Sequence, residues 1–298
     1  MGRGLRGKAQ RALERAVGAV LPGTEFVFVA FQAMRRYKRH FGVYPNLIHP
    51  KTFNEKVLCR IVFDRRPILI TLQDKYAARD YVRRRIGEHV LPQLYWVTKT
   101  PSDIPFNMLP RQFVVKASHG AGWVSLVPDK ASLKTRDLLD KCTYWLSQNY
   151  YWANREWAYK TIEPRIMVEE FVSDGTGLAP TDYKFYVFGG RVRWIWVMTD
   201  RFVDPRSDAY TPSWDRLDIK RRWKPVLAPL PRPPHLDEMI HCAEILGSNL
   251  DFVRIDLYDA DKVYFGEMTL YPSAGVEISD PEANRYYGGL WDLSFGRT

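Results

Sequence analysis

Residues 252–275 read F-V-R-I-D-L-Y-D-A-D-K-V-Y-F-G-E-M-T-L-Y-P-S-A-G and predict a β-hairpin. Two runs rich in aromatic and β-branched residues, Phe252–Tyr258 and Val263–Leu270, have the composition of strands. The residues between them, 259–262, are Asp, Ala, Asp and Lys, which favour a turn. A loop of two or of four residues there gives the same strand register.

The predicted register brings polar side chains together on one face of the hairpin. It pairs three positions across the strands: Tyr258 with Val263, Asp256 with Phe265 and Arg254 with Glu267. Because side chains alternate along a strand, one face then carries four polar residues, namely Arg254, Asp256, Glu267 and Thr269. The opposite face carries Val253, Ile255 and Leu257, which we expect to pack on a core.

The two carboxylates on the polar face favour a bound cation. Asp256 and Glu267 would repel each other at short range unless a positive charge lay between them. Mg²⁺ is commonly held by one or two carboxylates together with substrate phosphates, and Arg254 could clamp the same phosphates. The alternative is an exposed edge hairpin whose acidic side chains lie in solvent.

Composition predicts a folded protein of a reducing compartment. The chain has 298 residues with 10 Trp, 17 Tyr and 15 Phe, which argues against disorder and for a large core. Its three cysteines, Cys59, Cys142 and Cys242, are scattered and show no metal-binding spacing. We therefore expect a cytoplasmic protein without a disulfide framework.

Positive charge is concentrated at the start of the chain. Residues 1–60 contain twelve Lys or Arg against three Glu, a net +9 out of +10 for the whole chain. A basic surface confined to one arm predicts attraction to anionic lipid, nucleic acid or another polyanion. A nucleic-acid-binding protein would distribute the charge otherwise, so no nucleic-acid partner is expected.

The first 21 residues have the pattern of a basic amphipathic helix. Five apolar residues recur at helical spacing among arginines and a lysine, and Pro22-Gly23 ends the pattern: Leu5, Leu13, Val17, Val20 and Leu21. No run reaches the ~18 apolar residues of a membrane span, and no signal-peptide cleavage site follows. We expect residues 1–21 to lie on an anionic membrane surface, or alternatively to form an ordinary surface helix.

Two lysines lie at the edges of predicted elements: Lys75 at the start of a helix and Lys116 directly before a loop of small residues. Thr52-Phe53-Asn54-Glu55 resembles a capping box, and a further helix is expected from about Leu72 to Arg85, with Lys75 at its start and Arg79 one turn on. Residues 113–115 predict a strand that delivers Lys116 to the small-residue loop 117–122, followed by a strand at 123–127. Such a loop can cradle phosphate, although its order differs from that of the P-loop and a plain hairpin turn would look the same.

The remaining segments predict alternating strands and helices. Leu94–Val97, Arg165–Val172, Phe185–Phe188 and Val192–Met198 have strand patterns, and Leu133–Tyr151 and His235–Gly247 have helical patterns. Adjacent Glu169 and Glu170 point to opposite faces of a strand, so one of them can face a ligand. Residues 203–235 lack periodicity and are expected to form a long loop or lid.

Together these stretches resemble the ATP-grasp superfamily, and most closely its teichuronopeptide-biosynthesis (TupA-like) branch. The matching stretches, in the family's order, are L-Q-D-K-Y-A-A-R (72–79), F-V-V-K-A-S-H-G-A-G (113–122), I-M-V-E-E-F-V (166–172), D-Y-K-F-Y-V-F-G-G (182–190), V-R-I-D-L-Y-D (253–259) and Y-F-G-E-M-T-L-Y-P-S-A-G (264–275).

The resemblance implies an α+β ATP-grasp fold: two α+β lobes with ATP bound between antiparallel sheets, plus an N-terminal helical arm. It divides the chain into a basic arm (1–45), a pre-ATP-grasp region (46–110), a small lobe (111–175) and a C-terminal lobe with the metal site (176–298).

The resemblance also implies roles for individual residues. Lys75 and Lys116 would contact the ATP phosphates under a flexible loop that includes Ser118, His119, Gly120 and Gly122. Glu169 or Glu170 would meet the adenine amino group, and the backbone at Phe171 and Val172 would read the ring. Lys184 would reach the phosphates from the second lobe. Asp256 and Glu267 would bind Mg²⁺, and Arg254 would contact a phosphate or intermediate.

Two departures from the family pattern affect single contacts. Thr269 stands where many members have an asparagine metal ligand, and Ala121 stands where a hydroxyl residue is common. A threonine oxygen can still bind the metal or position a water. His119 could orient phosphate, act as a base or be a structural histidine.

By resemblance, the chain is expected to be an ATP-grasp ligase that forms a carbon–nitrogen bond through an acyl phosphate, with ATP and Mg²⁺. Arg201 and Arg193 are candidates to hold the acceptor carboxylate. The branch is associated with bacterial cell-envelope polysaccharide, so the expected acceptor is a uronic acid or glycan and the partner an amine. The alternatives are a glycosyl- or phosphotransferase on the same fold and a non-catalytic nucleotide-binding assembly protein.

Overall fold

The computed structural model describes residues 25–175, 179–201, 203–219 and 224–293. The predicted amphipathic helix at residues 1–21 lies outside these ranges. None of the helices within them is both long and apolar enough to cross a bilayer.

Eight α-helices lie in the described residues. They are α1 (Glu25–Phe41), α2 (Phe53–Phe63), α3 (Ile68–Gln73), α4 (Ala77–Ile86), α5 (Thr135–Ser147), α6 (Tyr151–Asn154), α7 (Leu236–Gly247) and α8 (Pro281–Gly289). The predicted capping box is present, because the Thr52 hydroxyl accepts a hydrogen bond from the Glu55 backbone N–H while the Glu55 carboxylate accepts one from the Thr52 backbone N–H.

The strands form two antiparallel sheets. The small sheet has the order β1-β4-β2-β3, from β1 (Leu94–Thr98), β2 (Phe113–Ala117), β3 (Val124–Val127) and β4 (Ile166–Glu170). The large sheet has the order β10-β9-β5-β6-β7-β8, from β5 (Asp182–Phe188), β6 (Arg191–Thr199), β7 (Arg206–Tyr210), β8 (Arg216–Leu217), β9 (Phe252–Asp259) and β10 (Val263–Thr269).

Each sheet has its own hydrophobic core. The inner side of the small sheet packs on α5, where Phe113 and Val168 meet Leu138 and Trp145. The large sheet packs on helices from both ends of the chain, and Phe53 of α2 contacts the rings of Phe252 and Trp291 with centroids 5.0 and 5.7 Å apart. As predicted, Val253, Ile255 and Leu257 are completely buried.

The hairpin register differs from the predicted one. The loop has three residues, so Tyr258 lies opposite Tyr264, and a bulge at Gly266 then places Glu267 opposite Asp256 and Thr269 opposite Arg254. A β-carbon on Gly266 would lie 2.9 Å from the Asp256 carbonyl oxygen, so the close approach of the two strands at the bulge requires glycine. The four polar residues nevertheless share one face.

Two other predictions were wrong in part. The helix expected from Leu72 to Arg85 is two helices, α3 and α4, separated at Asp74–Tyr76, where the Lys75 N–H donates to the Ser118 carbonyl (3.1 Å). The segment 203–235, expected to be a loop or lid, contributes β7 and β8 to the edge of the large sheet.

Candidate active site

A cleft lies between the outer face of the small sheet and the polar face of the large sheet. Its empty space, including the open solvent at its mouth, is about 940 Å³. The residues that line it include ten of the predicted site residues: Lys75, Lys116, Gly122, Glu169, Glu170, Phe171, Val172, Arg201, Asp256 and Glu267. The remaining six lie behind this lining or beside it: Ser118, His119, Gly120, Lys184, Arg254 and Thr269.

The small-sheet wall presents a buried carboxylate shared by two cations. Glu169 is buried, with only 3% of its surface exposed. Its carboxylate pairs with Lys116 from the neighbouring strand β2 and with Arg79 Nη1 of α4 (2.8 Å). Arg79 also donates from Nη2 to the Pro92 carbonyl (2.7 Å), which fixes its guanidinium. Lys116 is therefore held at the cleft surface by a carboxylate that keeps a second positive partner.

Glu169 and Glu170 have different surroundings although both line the cleft. The Glu170 carboxylate accepts the Gln93 backbone N–H at 2.9 Å, and the Tyr264 hydroxyl lies at 3.4 Å. Glu170 thus links the end of β4 to the segment before β1, whereas Glu169 pairs with Lys116 and Arg79.

Lys75 connects three parts of the molecule at the cleft. It lies in the break between α3 and α4, and its ammonium group donates to the Gly120 carbonyl (2.8 Å) of the small-residue loop. The same group pairs with Glu267 Oε2 of β10 at 3.0 Å. The break in the predicted helix therefore directs this lysine between the two sheets.

The small-residue loop is anchored more firmly than its sequence indicates. His119 is buried and donates from Nε2 to the Trp145 carbonyl (3.0 Å). Burial lowers the His119 pKa, and Lys75 lowers it further, so the ring is neutral at pH 7. Of the roles considered for His119, this environment favours a structural histidine. A β-carbon on Gly120 would lie 2.3 Å from the Trp123 ring, so the loop needs glycine there.

The large-sheet floor carries the four polar residues of the hairpin in contact with one another. Arg254 donates from Nε to Asp256 Oδ1 (2.6 Å) and from Nη2 to the Thr269 hydroxyl (3.0 Å). Arg254 Nη2 lies 3.6 Å from Glu267 Oε1, and the Thr269 hydroxyl lies 3.5 Å from the same oxygen. The bulge at Gly266 produces this arrangement because it restores the same-face parity that a three-residue loop alone would have reversed.

Strand β5, next to β9 in the large sheet, adds further charged side chains beside Asp256. Lys184 pairs with Asp256 Oδ2 at 2.8 Å and also with Asp182. Arg201, two residues after the end of β6, donates from Nη1 to Asp182 Oδ2 at 3.2 Å. Asp182 was not predicted as a site residue, yet it lines the cleft and is 1% exposed. Its alternation with Lys184 along β5 is the sequence signal that could have identified it.

The positive charges determine the ionisation of Glu267. Burial alone would raise its pKa, but Lys75, Arg254, Lys184 and Arg201 act in the opposite direction and hold the pKa well below the ordinary value. Glu267 is therefore ionised at neutral pH and presents anionic oxygens to the cleft.

Part of the cleft lining is apolar, and we call this part the apolar slot. Its walls are Val114, Val124 and Leu126 from the small sheet and Phe265 from the large sheet. Phe171 and Val172 continue the lining directly after β4. The sequence does not mark Val114, Leu126 or Phe265 as cleft residues, because alternating apolar residues look the same on a core face and on a ligand-binding face.

The donor set fits magnesium. Asp256 and Glu267 supply hard carboxylate oxygens from directly opposed positions, and Asp182 Oδ1 is buried without a hydrogen-bond partner in the described residues. Among those residues no group of three or more His, Cys, Asp and Glu side chains could hold a metal ion alone. A Mg²⁺ ion at this position would need further oxygen ligands, such as those of a phosphate.

Arg193, the other residue considered for the acceptor carboxylate, is exposed near the start of β6 and does not line the cleft. Arg201 is the one of the pair that the fold brings to the site.

Comparison with known families gives one match that spans most of the chain. The model of the TupA-like ATP-grasp family matches residues 55–291. A search of curated proteins found no match.

Several solved structures share parts of the fold at low identity. D-alanine–D-alanine ligase from Bacillus anthracis, complexed with ATP, is 15% identical with a TM-score of 0.45 over 73% of this chain and 61% of its own. The ATP-grasp ligase PsnB, complexed with a precursor variant, Mg and ADP, is 14% identical with a TM-score of 0.39 over 69% of this chain and 52% of its own. N5-carboxyaminoimidazole ribonucleotide synthetase, as an ADP complex, is 12% identical with a TM-score of 0.44 over 69% and 46%. The chain thus spans about half to three fifths of the length of these proteins, and at such identities the likeness concerns the fold alone.

Proposed function

The chain belongs to the TupA-like ATP-grasp family, and from that membership and the cleft we propose an ATP-dependent carboxylate–amine ligase that works through an acyl phosphate. The family and the ATP-grasp fold predicted from the motifs are thereby confirmed. The observation that carries the proposal is the convergence of Lys75 and Lys116 with Asp256 and Glu267 on one cleft.

The apolar slot is proposed to hold adenine. Val114, Leu126 and Phe265 offer two apolar surfaces to a flat ring, and the backbone at Phe171 and Val172 lies where the ring edge would be read. Glu169 or Glu170 is proposed to meet the adenine amino group, since both line the cleft directly before Phe171.

The lysines are proposed to bind the triphosphate. Lys75 and Lys116 reach the cleft from different elements. Lys75 pairs with Glu267, which also lies close to Arg254. Lys116 pairs with Glu169, which also pairs with Arg79. Either lysine can therefore turn to a phosphate oxygen without leaving an isolated buried charge. Neutralising the transferring phosphoryl group is the main electrostatic requirement of this chemistry.

Asp256 and Glu267 would hold Mg²⁺, with Thr269 beside them. A bound Mg²⁺ would supply charge neutralisation and orientation of the phosphates. Lys184 and Arg254 both pair with Asp256 and fix its position, so they act on the site mainly through that carboxylate.

The proposed reaction requires no protein nucleophile. An oxygen of the acceptor carboxylate attacks the γ-phosphorus, the bond to the ADP oxygen breaks, and an acyl phosphate and ADP result. The amine then attacks the acyl carbon, loses a proton, and phosphate leaves with the carbon–oxygen bond pair. Arg201 at the cleft edge is proposed to orient the acceptor carboxylate.

We propose that the acceptor is a uronic acid or a glycan of the bacterial cell envelope and that the enzyme works beside an anionic membrane. The concentration of positive charge in residues 1–60 supports the second point.

The ligase reaction can be tested by product analysis over a panel of uronic acids and amines. We expect ADP and free phosphate to appear in step with an amide, and both to disappear in Glu267→Ala. An ATP-independent product, or phosphate or sugar retained on the product, would instead support a transferase. Absence of turnover combined with ATP binding would favour a non-catalytic nucleotide-binding protein.

A further inference from the structure

The outer face of α1 exposes apolar and basic side chains in two adjoining halves. Phe26, Val27 and Phe31 in the first half are 50%, 52% and 55% exposed. Arg35 and Lys38 in the second half are exposed as well. Val27, Phe31, Arg35 and Lys38 are four, four and three residues apart, so they form a single stripe along the helix.

The inner face of α1 is fixed to the body, so this stripe cannot turn inward. Val29, Ala33 and Tyr37 are buried in the large core. Arg36 of the same helix donates from Nη2 to the Ala274 carbonyl (2.5 Å) and from Nη1 to the Asn154 carbonyl (3.2 Å).

The segment after α1 extends the exposed surface. Val43 and Tyr44 are 61% and 57% exposed. The Lys38 ammonium lies 4.3 Å from the centre of the Tyr44 ring, which joins this segment to the basic end of the stripe. We call this surface the docking face: Phe26, Val27, Phe31, Arg35, Lys38, Arg39, Val43 and Tyr44.

The docking face carries uncompensated positive charge. Arg35, Lys38 and Arg39 form no ion pair with another described residue, and the acid of the helix, Glu25, is bonded to Lys160 (2.6 Å) and to the Tyr151 hydroxyl (2.5 Å). The 24 residues that precede α1 contain five Arg or Lys and one Glu. The chain thus continues from the apolar end of the stripe into more positive charge.

We propose that the docking face binds an anionic lipid bilayer. Phenylalanine and valine side chains can enter the boundary between head groups and acyl chains, while arginine and lysine contact lipid phosphates. A second copy of the chain is disfavoured: parallel α1 helices across a two-fold axis would face like charges, and antiparallel ones would cover the basic half with apolar side chains. Nucleic acid would satisfy the basic half but leave Val27 and Val43 without an apolar partner.

The location of the docking face connects it with the cleft. The inner side of α1 contacts the carbonyl of Ala274, in the turn that follows the metal-site strand β10. Ser273 and Ala274 in that turn have left-handed backbone conformations, with φ of 43° and 51°. One helix diameter, about 10 Å, therefore separates the bilayer from the turn next to the site. Delivery of a membrane-associated acceptor to the cleft rests on the proposed ligase reaction, whereas docking on the bilayer does not.

Vesicle co-sedimentation of the full chain tests the proposal without ATP or acceptor. Vesicles contain either phosphatidylcholine alone or equal parts of phosphatidylcholine and phosphatidylglycerol. We expect the wild type to prefer the anionic vesicles, and Arg35→Glu/Lys38→Glu to lower the affinity at least about tenfold. Val27→Ser/Phe31→Ser should cause a loss of at least about fivefold, because less apolar area enters the bilayer.

Matched variants on other surfaces serve as controls. Lys134→Glu/Lys141→Glu changes the same charge on exposed positions of α5 and its approach, and Met108→Ser/Leu227→Ser removes two other exposed apolar side chains. Both controls should bind like the wild type, and all variants should keep the wild-type circular dichroism and melting temperature.

Three results would overturn the proposal. The first is wild-type binding by both docking-face variants, which would leave residues 1–24 as the only contact. The second is a loss confined to the charge variant, which would reduce the face to a nonspecific basic patch. The third is a wild type that ignores the anionic vesicles but dimerises or binds nucleic acid through this face. Because the assay contains no nucleotide, none of these results depends on the ligase reaction.

Discussion

Lys116 and Arg79 share the buried carboxylate of Glu169, and this sharing separates a binding role of Lys116 from a structural one. In Lys116→Ala, Arg79 still neutralises Glu169, so the fold should persist. We expect ATP affinity to fall at least about tenfold in isothermal titration calorimetry, because one phosphate contact is lost. Lys99→Ala, which removes an exposed lysine that pairs with Glu163, should bind ATP normally. Wild-type affinity in Lys116→Ala would contradict the phosphate role.

Glu156 predicts a pH dependence of stability that is independent of the site chemistry. Burial raises its pKa from the ordinary value of 4.5 to about 7, although Arg36 acts in the opposite direction. The folded state therefore binds this proton more tightly than the unfolded state. The resulting stabilisation is complete below about pH 4.5 and is lost as the pH rises to about 7.

Denaturant unfolding at pH 5 and pH 8 measures this effect. The group contributes on the order of 3 kcal/mol to the difference in the free energy of unfolding between the ends of its titration range. Glu156→Gln should remove most of that difference, whereas Glu282→Gln, an exposed change, should keep the wild-type profile. Equal pH profiles for the wild type and Glu156→Gln would show that Glu156 does not titrate abnormally.

At the residue scale, the sequence identified charged groups better than their partners. Lys75, Lys116, Asp256 and Glu267 could be selected from motifs, and the fold brings all four to the cleft. The pairing of Glu169 with both Lys116 and Arg79 could not be predicted, because it depends on the packing of α4 against a strand about ninety residues away.

The hairpin β9–β10 shows how an incorrect register can still give the correct face. A three-residue loop alone would have placed Glu267 on the core side, and the bulge at Gly266 moves it back beside Asp256. The loop and the bulge each shift the register by one residue from the predicted one. Together they shift it by two residues, which returns each side chain to the predicted face. Sequence alternation therefore predicted the polar face, whereas the paired positions needed the structure.

Gly266→Ala tests the contribution of the bulge. The new β-carbon would lie 2.9 Å from the Asp256 carbonyl oxygen and 3.1 Å from the Tyr258 ring, so one strand must shift. We expect a loss of about 1–3 kcal/mol in the free energy of unfolding, measured in denaturant, together with weaker ATP binding.

Gly289→Ala is the matched control, because a β-carbon there meets no atom within 4 Å. It should leave both stability and ATP binding close to the wild type. Wild-type stability in Gly266→Ala would mean that the strands tolerate the side chain and that the bulge does not fix the carboxylates.

The break between α3 and α4 marks a limit of helix prediction. The apolar spacing from Leu72 to Arg85 favours one helix, but the chain is not helical at Lys75. There the Lys75 backbone N–H donates to the Ser118 carbonyl and its ammonium group donates to the Gly120 carbonyl. Local propensity contains no information on that distant loop. The same reason explains β7 and β8, which exist because the edge of β6 offers hydrogen-bonding groups that irregular sequence can pair with.

At the scale of the molecule, the order of motifs predicted the fold class and the two sheets. It could not predict that β1, from the region assigned before the small lobe, joins the small sheet beside β4. It also could not predict that α2 meets α8 and the residues after α8 over the large sheet, where Phe53 contacts Trp291. Such contacts depend on pairing between distant residues, which periodicity does not report.

The central claim is that ATP binds between the two sheets with Mg²⁺ at Asp256 and Glu267. Equilibrium dialysis of labelled ATP, with Mg²⁺ present or removed by chelation, tests it in the wild type, in Glu267→Ala and in the exposed control Glu238→Ala. The account predicts that Mg²⁺ raises ATP affinity at least about tenfold in the wild type and in the control, and that Glu267→Ala loses this gain while remaining folded. An equal response to Mg²⁺ in Glu267→Ala and the wild type would contradict it.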